Sequence, residues 1–340
     1  MKMLRVNLVS ESEFTVQGHG VHTAYVEMRN GLEARPDIAL TVNAEPQKDA
    51  DITHLHTVGT FALRRLLVPR GGKKIVSAHI VPDSLVGSLA LAKLWLPFFQ
   101  PYLRWFYNRA DVVIAVSPYT RDELRKMGVR SRIEVLENSV DTRKYATTPQ
   151  QKRRFREQLD LPRRKFVVVG NGQIQPRKKF ETFVAVAESL PDMQFIWVGG
   201  IPFKAAGANY LHLSKMMKNP PRNLRVTGVI PLSEAGAYMR AADAMFMPSA
   251  QETFGVALIE GAAAGLPVVV RDIRDYDETF GNLVLRGKND AEFRELLVKL
   301  RDDKKFYNKW RANSAKLAAK YDSAAATDKL VKLYREIIKN

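Results

Sequence analysis

Short apolar runs alternate with helical patterns along the whole chain of 340 residues, and this alternation limits the possible folds more than any other feature. Apolar runs without polar alternation are typical of strands that are buried on both faces of a parallel sheet. In the first half, the predicted strands are 4–9, 38–42, 52–55, 74–78, 112–116 and 133–136. In the second half, they are 166–169, 195–198, 225–230, 245–247 and 268–270. Because helical patterns separate these runs, the sequence predicts an α/β protein with doubly wound sheets.

The length and one polar segment predict two domains. A chain of this length exceeds the usual size of a single core. Residues 147–165 are polar and basic and contain prolines, as expected for a connection that holds one short helix. We therefore expect an N-terminal domain at 1–146, a linker and second domain at 147–321, and a terminal helix at 322–340.

The net charge of +17 is the strongest compositional signal. A surface this basic attracts nucleic acid, anionic lipid or polyanionic substrates. A nucleic-acid-binding protein would account for the charge, but the sequence contains no recognition motif and no aromatic platform for RNA. The lack of cysteine excludes disulfides and thiolate metal sites and fits a reducing cytoplasm. No apolar run reaches the roughly 18 residues of a membrane-spanning helix, so we expect no membrane span. Because the sequence has no nucleic-acid recognition motif, we also expect no nucleic-acid partner.

Two carboxylates, Glu252 and Glu260, stand on either side of a predicted helix start. Gly255 favours the start of a helix, and residues 256–264 are good helix formers that Gly265 ends. Glu252 then lies in the loop before the helix and Glu260 within it. Backbone N–H groups at a helix start attract phosphate. Carboxylates beside an anion site suit a ligand with hydroxyls and a diphosphate, such as a nucleotide sugar, although two glutamates alone are more often part of a surface helix.

A second polar loop follows the predicted strand at 166–169. It contains Gly172, and Arg177 and Lys178 come just before a predicted helix. Glycines after a strand, followed by cations before a helix, are typical of a diphosphate pocket. A solvated basic loop has the same composition, so the residues alone leave both interpretations open.

These motifs resemble those of the retaining glycosyltransferases of family 4, with the donor-site resemblance carried by residues 243–267. The resemblance implies the GT-B fold, in which two Rossmann-like doubly wound domains face a cleft and the terminal helix packs back on the first domain. It also implies that Glu252 holds the hydroxyls of the donor sugar and Glu260 those of the ribose. Lys178 would neutralise the leaving nucleotide.

The sequence departs from the family pattern at two positions, and the resemblance extends to further site residues. Gln173 stands where most members have arginine, and Lys179 stands where most have glycine. Arg177 is the candidate that supplies the missing charge, and His79, which follows a predicted strand, is a candidate cleft histidine. The implied catalytic residues are Lys178, Arg177, His79 and Glu252. The implied donor-binding residues are Gly18, Gly20, Gly172, Gln173, Gly228, Val229, Thr253, Phe254, Gly255, Val256 and Glu260. The family's front-face displacement retains configuration and needs no metal and no other cofactor.

Residues 80–84, 172–178, 193–200 and 268–273 are similar to those of the bacterial diacylglycerol glucosyltransferases. This resemblance implies transfer of glucose from UDP-glucose, or another nucleotide sugar, to the hydroxyl of diacylglycerol. The expected partners are a nucleotide sugar, a lipid acceptor and an anionic membrane surface, and the expected location is the inner face of the cell membrane. A soluble family 4 enzyme that acts on a polysaccharide or a small metabolite would have the same donor residues.

Aromatic and basic residues are mixed within 88–109, which predicts two helices broken at Pro97 and Pro101. These aromatics either pack in a core or insert at a membrane interface beside cations that face anionic lipid. A basic segment at 63–74 adds charge, and we expect Arg64 and Arg65 to face solvent. The candidate membrane contacts are Arg64, Arg65, Lys73, Lys74, Trp95, Phe98, Phe99 and Trp105.

Overall fold

The computed structural model describes residues 3–14, 20–82, 92–201 and 209–339, and the chain divides into two compact units. Among the described residues, the first unit contains those up to Pro82, then Lys93–Val140, and the C-terminal segment from Tyr321. The second unit contains Asp141–Lys320. It begins six residues before the predicted position because the short 3₁₀ helix Thr142–Lys144 contacts helix Val256–Ala263 of the same unit.

The first unit contains a six-stranded parallel sheet of order β2-β1-β3-β4-β5-β6. Its strands are β1 (Leu4–Val9), β2 (Ile38–Val42), β3 (Ile52–Leu55), β4 (Lys73–Ala78), β5 (Val112–Ala115) and β6 (Arg132–Val135). The helices are α1 (Gly20–Glu33), α2 (Thr60–Leu67), α3 (Ala92–Tyr107), α4 (Pro118–Lys126) and the C-terminal helix Ser323–Ile337. The sequence predicted each of these strands, with bounds that differ by at most a residue or two.

Helices cover both faces of this sheet, which explains why its central strands are apolar on both sides. One core joins residues of β3, β4 and β5 to Leu103, Phe106 and Tyr107 of α3. The other joins β1 and α1 to the C-terminal helix, where Leu330 and Tyr334 are almost fully buried. The C-terminal helix is therefore part of the first unit through a shared apolar core.

Helix α3 is continuous through Pro97 and Pro101, so the prediction of two helices broken at these prolines was wrong. A proline inside a helix lacks the N–H donor and crowds the carbonyl one turn before it. Both prolines are exposed, so the carbonyls that lose a partner lie on the side where water can bind them. The opposite side packs into the core through Leu103, Phe106 and Tyr107. This packing outweighs a local sequence preference for a break.

The second unit contains another six-stranded parallel sheet, of order β12-β11-β10-β7-β8-β9. Its strands are β7 (Val167–Asn171), β8 (Gln194–Val198), β9 (Leu224–Val226), β10 (Ala244–Met247), β11 (Val268–Arg271) and β12 (Leu285–Gly287). The helices are α5 (Pro149–Gln158), α6 (Phe180–Glu188), α7 (Tyr210–Lys218), α8 (Leu232–Ala241), α9 (Val256–Ala263), α10 (Asp277–Phe280), α11 (Asp290–Asp302) and α12 (Lys304–Lys320). The two parallel sheets confirm the predicted doubly wound α/β class.

The strand order of the second sheet reverses between β7 and β10. From β7 the chain winds outward through β8 and β9, and from β10 it winds the other way through β11 and β12. In open parallel sheets, ligands bind at the carboxyl ends of the strands at such a reversal. The short edge strand β12 was not predicted, and β9 ends before the predicted 230 because Gly228 adopts a positive φ of 71°.

None of the described helices is both long enough and apolar enough to cross a bilayer.

Candidate active site

The carboxyl end of β7 is linked by a hydrogen bond to helix α9. Asn171, the last residue of β7, donates from Nδ2 to Oε2 of Glu260 over 3.2 Å. Glu260 lies on α9, as the sequence predicted, and only 3% of its surface is exposed. A buried carboxylate needs hydrogen-bond donors to offset its lost hydration. The described protein contacts thus hold Glu260 at the reversal point of the sheet.

Lys178 and Arg177 both form ion pairs with Glu252. Lys178 Nζ bonds Glu252 Oε1, and Arg177 Nη1 lies 3.4 Å from Glu252 Oε2. The backbone N–H of Glu252 donates to Asp275 Oδ2 over 2.8 Å, and the N–H of Ala250 donates to the Arg177 carbonyl over 2.8 Å. The two motifs that the sequence singled out separately therefore form one charged cluster.

This cluster is almost buried, and burial governs its electrostatics. The side chains of Lys178 and Glu252 are 12% and 7% exposed. Burial favours the neutral carboxylic acid, but the charges of Lys178 and Arg177 overcome it and hold the pKa of Glu252 below its ordinary value. Burial also lowers the pKa of Lys178, and the neighbouring Arg177 acts in the same direction. Lys178 and Arg177 thus place two cations against the Glu252 carboxylate, where an anionic ligand could compete for them.

Lys179 adopts a left-handed backbone conformation with φ of 53°. It follows the 3₁₀ helix Pro176–Lys178 and precedes the first residue of α6. A side chain in this conformation costs roughly 1–2 kcal/mol relative to glycine, which explains why the family pattern has glycine here. The turn sends Lys178 inward to Glu252, whereas Lys179 is exposed.

The loop before α9 turns at Gly255, whose φ of 93° favours glycine. A Cβ atom there would lie 3.1 Å from Cδ1 of Leu258. Phe254 and Val256 on either side are buried, and Thr253 completes the turn between Glu252 and the first residue of the helix. Helix α9 thus begins shortly after Glu252, the residue that pairs with Lys178. The predicted anion site requires this closeness of the helix start to the ion pair.

Backbone segments pack closely beside Lys178. A Cβ atom on Gly172 would lie 3.7 Å from Cε of Lys178, and a Cβ atom on Gly199 would lie 2.2 Å from the Gly172 carbonyl oxygen. Gly199 forms a β-bridge with Gly228. The glycines of these three loops therefore lie together at the carboxyl edge of the sheet.

Two donor candidates on the same loops differ in their surroundings. Gln173 accepts a hydrogen bond from Gln175 Nε2 at its Oε1 over 2.9 Å. Val229 is 68% exposed. The assignments of both residues to donor binding stay predictions.

Comparison with known proteins decides the family. The profile of Glycosyltransferase Family 4 matches residues 9–144, and that of Glycosyl transferases group 1 matches residues 151–317. The chain is 34% identical over 278 residues to the alpha-galactosylglucosyldiacylglycerol synthase of Streptococcus pneumoniae (strain ATCC BAA-255 / R6), covering 81% of this chain and 74% of that protein. This chain is a family 4 glycosyltransferase.

Two further comparisons agree with this family. The glycosyltransferase is 27% identical over 340 residues to the processive diacylglycerol alpha-glucosyltransferase of Acholeplasma laidlawii, with 99% of each chain covered. Its fold matches the solved structure of sucrose-phosphate synthase from Thermosynechococcus elongatus with a TM-score of 0.81, at 16% identity and 99% coverage of each chain. The predicted GT-B fold is thereby confirmed.

Sequence reasoning missed Asn171 and Asp275, which hold the two motif glutamates of the glycosyltransferase. The position of Asn171 at the end of a predicted strand could have indicated it. Asp275 and Asp277 form an Asp-x-Asp triplet, a pattern that can bind a metal. The sequence prediction of transfer without a metal did not take this triplet into account. Asp275 accepts the Glu252 N–H, and Asp277 pairs with Arg286 over 2.6 Å.

The N-terminal unit of the glycosyltransferase carries a row of buried histidines that includes His79. The His54 and His56 ring centroids are 4.6 Å apart, and those of His56 and His79 are 5.4 Å apart and stacked. His56 Nδ1 lies 3.2 Å from His79 Nε2. His54 bonds Tyr334 and Ser77 over 2.6 and 2.8 Å. His79 follows β4 as predicted, and its contact with His56 ties it to the core.

Two glycines near the N-terminus were also predicted to bind the donor. Gly20 begins α1, and a Cβ atom there would meet nothing within 4 Å. Gly18 lies outside the described residues.

Two predicted membrane contacts, Arg65 and Lys74, are buried, so the prediction was wrong for both. Arg65 is 3% exposed, pairs with Glu45 over 2.8 Å and lies over the ring of Phe61. Lys74 is 7% exposed and donates from Nζ to the Arg70 carbonyl over 2.6 Å. Burial follows from the position of Arg65 on the inner face of α2 and of Lys74 within β4. Arg64 is exposed and Lys73 is half-buried.

Helix α3 divides its large side chains between the core and solvent. Phe98 is 81% exposed, Leu94 69% and Trp105 38%, and the spacing of these residues places them along one side of the helix. The guanidinium of Arg109 lies 5.2 Å from the Trp105 ring centroid. Phe99 is half-buried against the core, and the side chain of Trp95 lies outside the described part of the chain. One side of α3 therefore packs in the core, and the opposite side, on which the interface interpretation depends, is exposed.

Proposed function

We propose that this glycosyltransferase transfers glucose from UDP-glucose to the hydroxyl of diacylglycerol, with retention of configuration, at the surface of a membrane. The assignment of a nucleotide-sugar donor rests on one observation, the Lys178–Glu252–Arg177 cluster beside Glu260 at the reversal point of the second sheet. The assignment of diacylglycerol as the acceptor is supported by the two relatives described above, whose names both contain diacylglycerol. The corresponding location is the inner face of the cell membrane, with peripheral attachment.

The chemistry requires stabilisation of the charge that develops on the leaving diphosphate. As the bond between the sugar C1 and the phosphate oxygen breaks, negative charge grows on that oxygen, and preorganised cations and amides lower the barrier. Lys178, Arg177 and the amides at the start of α9 would supply this stabilisation. The acceptor oxygen attacks C1 on the face that the phosphate leaves, and the departing phosphate takes the proton of the acceptor hydroxyl.

The ion pair between Lys178 and Glu252 gives both residues a role when the donor binds. An incoming diphosphate competes for Lys178, so the carboxylate of Glu252 becomes available to accept hydrogen bonds from sugar hydroxyls. The hydrogen bond from Asn171 holds Glu260 for the ribose hydroxyls. In this arrangement, charge neutralisation and sugar recognition are coupled through one salt bridge.

We expect transfer to proceed without a divalent metal, because Lys178 and Arg177 supply the positive charge that a metal ion would otherwise provide. Treating the enzyme with a chelator and removing the chelated metal should leave kcat unchanged. The measurement is glucosyl transfer before and after this treatment, with magnesium or manganese added back as the control. A loss of activity that either metal restores would contradict this mechanism and would direct attention to Asp275 and Asp277.

Docking on a bilayer would use the outward side of α3, because diacylglycerol is insoluble in water. Burial of Leu94 and Phe98 contributes about 1.5–3 kcal/mol for each fully buried side chain. Exposed Arg104 and Arg109 on and after the same helix would add roughly 1 kcal/mol each near an anionic surface. The attraction of the cations weakens as salt shortens the screening length.

The double variant Leu94→Ser/Phe98→Ser should bind vesicles at least about tenfold more weakly, since a tenfold loss corresponds to only about 1.4 kcal/mol. The measurement is flotation with phosphatidylcholine vesicles that contain phosphatidylglycerol, at low and high salt. Leu211→Ser is the matched control, because Leu211 is 82% exposed and lies in the second unit. Equal flotation of the double variant and the wild type would refute this surface.

The acceptor is tested by incubating the enzyme with UDP-glucose and either diacylglycerol in vesicles or soluble saccharides. Formation of an α-glucosyl diacylglycerol supports the proposal, because the linkage retains the configuration of the donor. Transfer to soluble acceptors alone would instead favour the soluble family 4 enzyme. A panel of other nucleotide sugars in the same assay tests the donor.

A further inference from the structure

A cavity of about 540 Å³ opens in the second unit at the edge of the sheet opposite the candidate active site. Its lining includes Phe166 just before β7, Asp243 just before β10 and Leu266 near the start of β11. These residues mark the amino ends of the strands. The Lys178–Glu252 cluster lies beyond the carboxyl ends of β7 and β10, so the cavity is separate from that site.

Cations dominate the polar lining of this cavity. The five are Lys152, Arg240, Arg301, Lys304 and Arg311. The single lining carboxylate, Asp243, is already engaged: it bonds Lys152 over 2.6 Å, pairs with Arg156 and accepts the Val167 N–H over 2.7 Å. Asp243 is therefore fully engaged by Lys152 and Arg156 and pairs with none of the other cations that the structure describes in the cavity.

Three of these cations have no ion-pair partner among the described residues: Arg240, Lys304 and Arg311. Arg240 is nevertheless held in place, because its Nε donates to Thr147 Oγ1 over 3.1 Å and its guanidinium lies 4.2 Å from the Phe155 ring centroid. A guanidinium that is fixed by neutral groups retains its full charge and its remaining N–H donors for a ligand.

The floor of the cavity is apolar. Phe166 and Tyr307 pack edge to face with ring centroids 6.2 Å apart, and Leu266 and Leu300 lie beside them. The volume lies within the range of roughly 300–1,000 Å³ that small-molecule sites occupy. An apolar floor under a cationic rim suits an anion that carries an organic body.

We propose that this cavity binds a phosphate monoester through Arg240, Lys304 and Arg311, with the organic part of the ligand on the apolar floor. A phosphate monoester carries nearly two negative charges at neutral pH, which matches several uncompensated cations better than the single charge of a carboxylate. Arginine also binds phosphate with two parallel hydrogen bonds. The same chemistry occurs in a soluble phosphorylated metabolite and in a lipid headgroup.

The test compares two double variants of equal charge. Arg240→Gln/Arg311→Gln removes two cations from the cavity, and Arg153→Gln/Arg154→Gln removes two exposed cations from α5 outside the lining. One arm measures binding of glycerol 3-phosphate by calorimetry. The other arm measures flotation with phosphatidylcholine vesicles that contain phosphatidic acid.

We expect the cavity variant to weaken binding at least about tenfold in one arm, while the α5 variant changes it less than about twofold; each 1.4 kcal/mol is tenfold. The arm that responds identifies the source of the phosphate. Equal binding by both variants and the wild type, or equal losses in both variants, would overturn the proposal. Arg311→Gln alone provides the same comparison if thermal melting shows that the double variant is unfolded. Neither arm uses a nucleotide sugar, so the outcome is independent of the proposed transfer reaction.

Discussion

Replacing Lys178 with alanine is expected to lower kcat at least about a hundredfold, the usual loss for one group that stabilises developing charge. Lys178 is the cation most closely engaged with Glu252, and the burial of both side chains strengthens its electrostatic effect. The loss should fall mainly on kcat, because the charge on the leaving diphosphate is greatest in the transition state. Steady-state kinetics with UDP-glucose measures this split.

The neighbouring residue provides a matched control for this prediction. Lys179 is a lysine of the same loop, but it is exposed, and the cations that pair with Glu252 are Lys178 and Arg177. Lys179→Ala should keep turnover within about twofold of the wild type, since alanine and lysine share the same strain in the left-handed region. Turnover of Lys178→Ala at the level of Lys179→Ala would remove Lys178 from the catalytic assignment.

Loss of Lys178 also leaves Glu252 with one ion-pair partner, so a structural effect must be separated from a catalytic one. Removing one member of a buried ion pair destabilises a protein by about 3–5 kcal/mol. The variant Lys178→Met/Glu252→Gln removes both charges and should restore the melting temperature without restoring turnover. Recovery of both properties together would indicate that Lys178 acts on stability alone.

Acidification below about pH 6.5 should unfold the N-terminal unit through its buried histidines. Burial, reinforced by the charge of His79, lowers the pKa of His54 to about 3, and burial lowers the pKa of His56 well below its ordinary value. Both rings therefore stay neutral in the folded state at pH values where the unfolded chain takes up protons. Stability is complete above the unfolded pKa and is lost as pH falls from about 6.5 towards 3, by about 1.4 kcal/mol per pH unit for each histidine.

Within the described residues, no carboxylate contacts the ring of His54 or of His56. His56 faces the rings of Tyr25, His54 and His79, and His54 faces Tyr334. Urea unfolding between pH 7 and 5 measures the slope. The variant His56→Phe should flatten it by about half if it folds, while His212→Gln, at an exposed site of the second unit, should leave it unchanged. A slope that His56→Phe does not alter would show that other groups control acid unfolding.

Local sequence was sufficient to determine most secondary structure of this glycosyltransferase. The apolar runs predicted eleven of the twelve strands that the structure describes, because a strand buried on both faces must be apolar throughout. The start of α4 is also fixed by local residues, since Ser117 accepts the Thr120 N–H over 3.1 Å and Pro118 occupies the first turn. Gly255 and the residues after it likewise defined α9, and with it the loop position of Glu252 and the helical position of Glu260. Strand β12 was missed because three residues at a sheet edge carry too little pattern to stand out.

Only the tertiary structure decided which charged and aromatic side chains are buried. Arg64 and Arg65 are adjacent and chemically equal in the sequence, yet the rotation of α2 exposes one and pairs the other with Glu45. The core beneath α3 keeps that helix intact through two prolines and separates Phe106 inside from Phe98 outside. The salt bridge between Lys178 and Glu252 joins residues that are 74 positions apart. Composition and spacing determine which elements form, but contacts between distant segments determine which charges meet and which lose their water, and those contacts exist only in the folded chain.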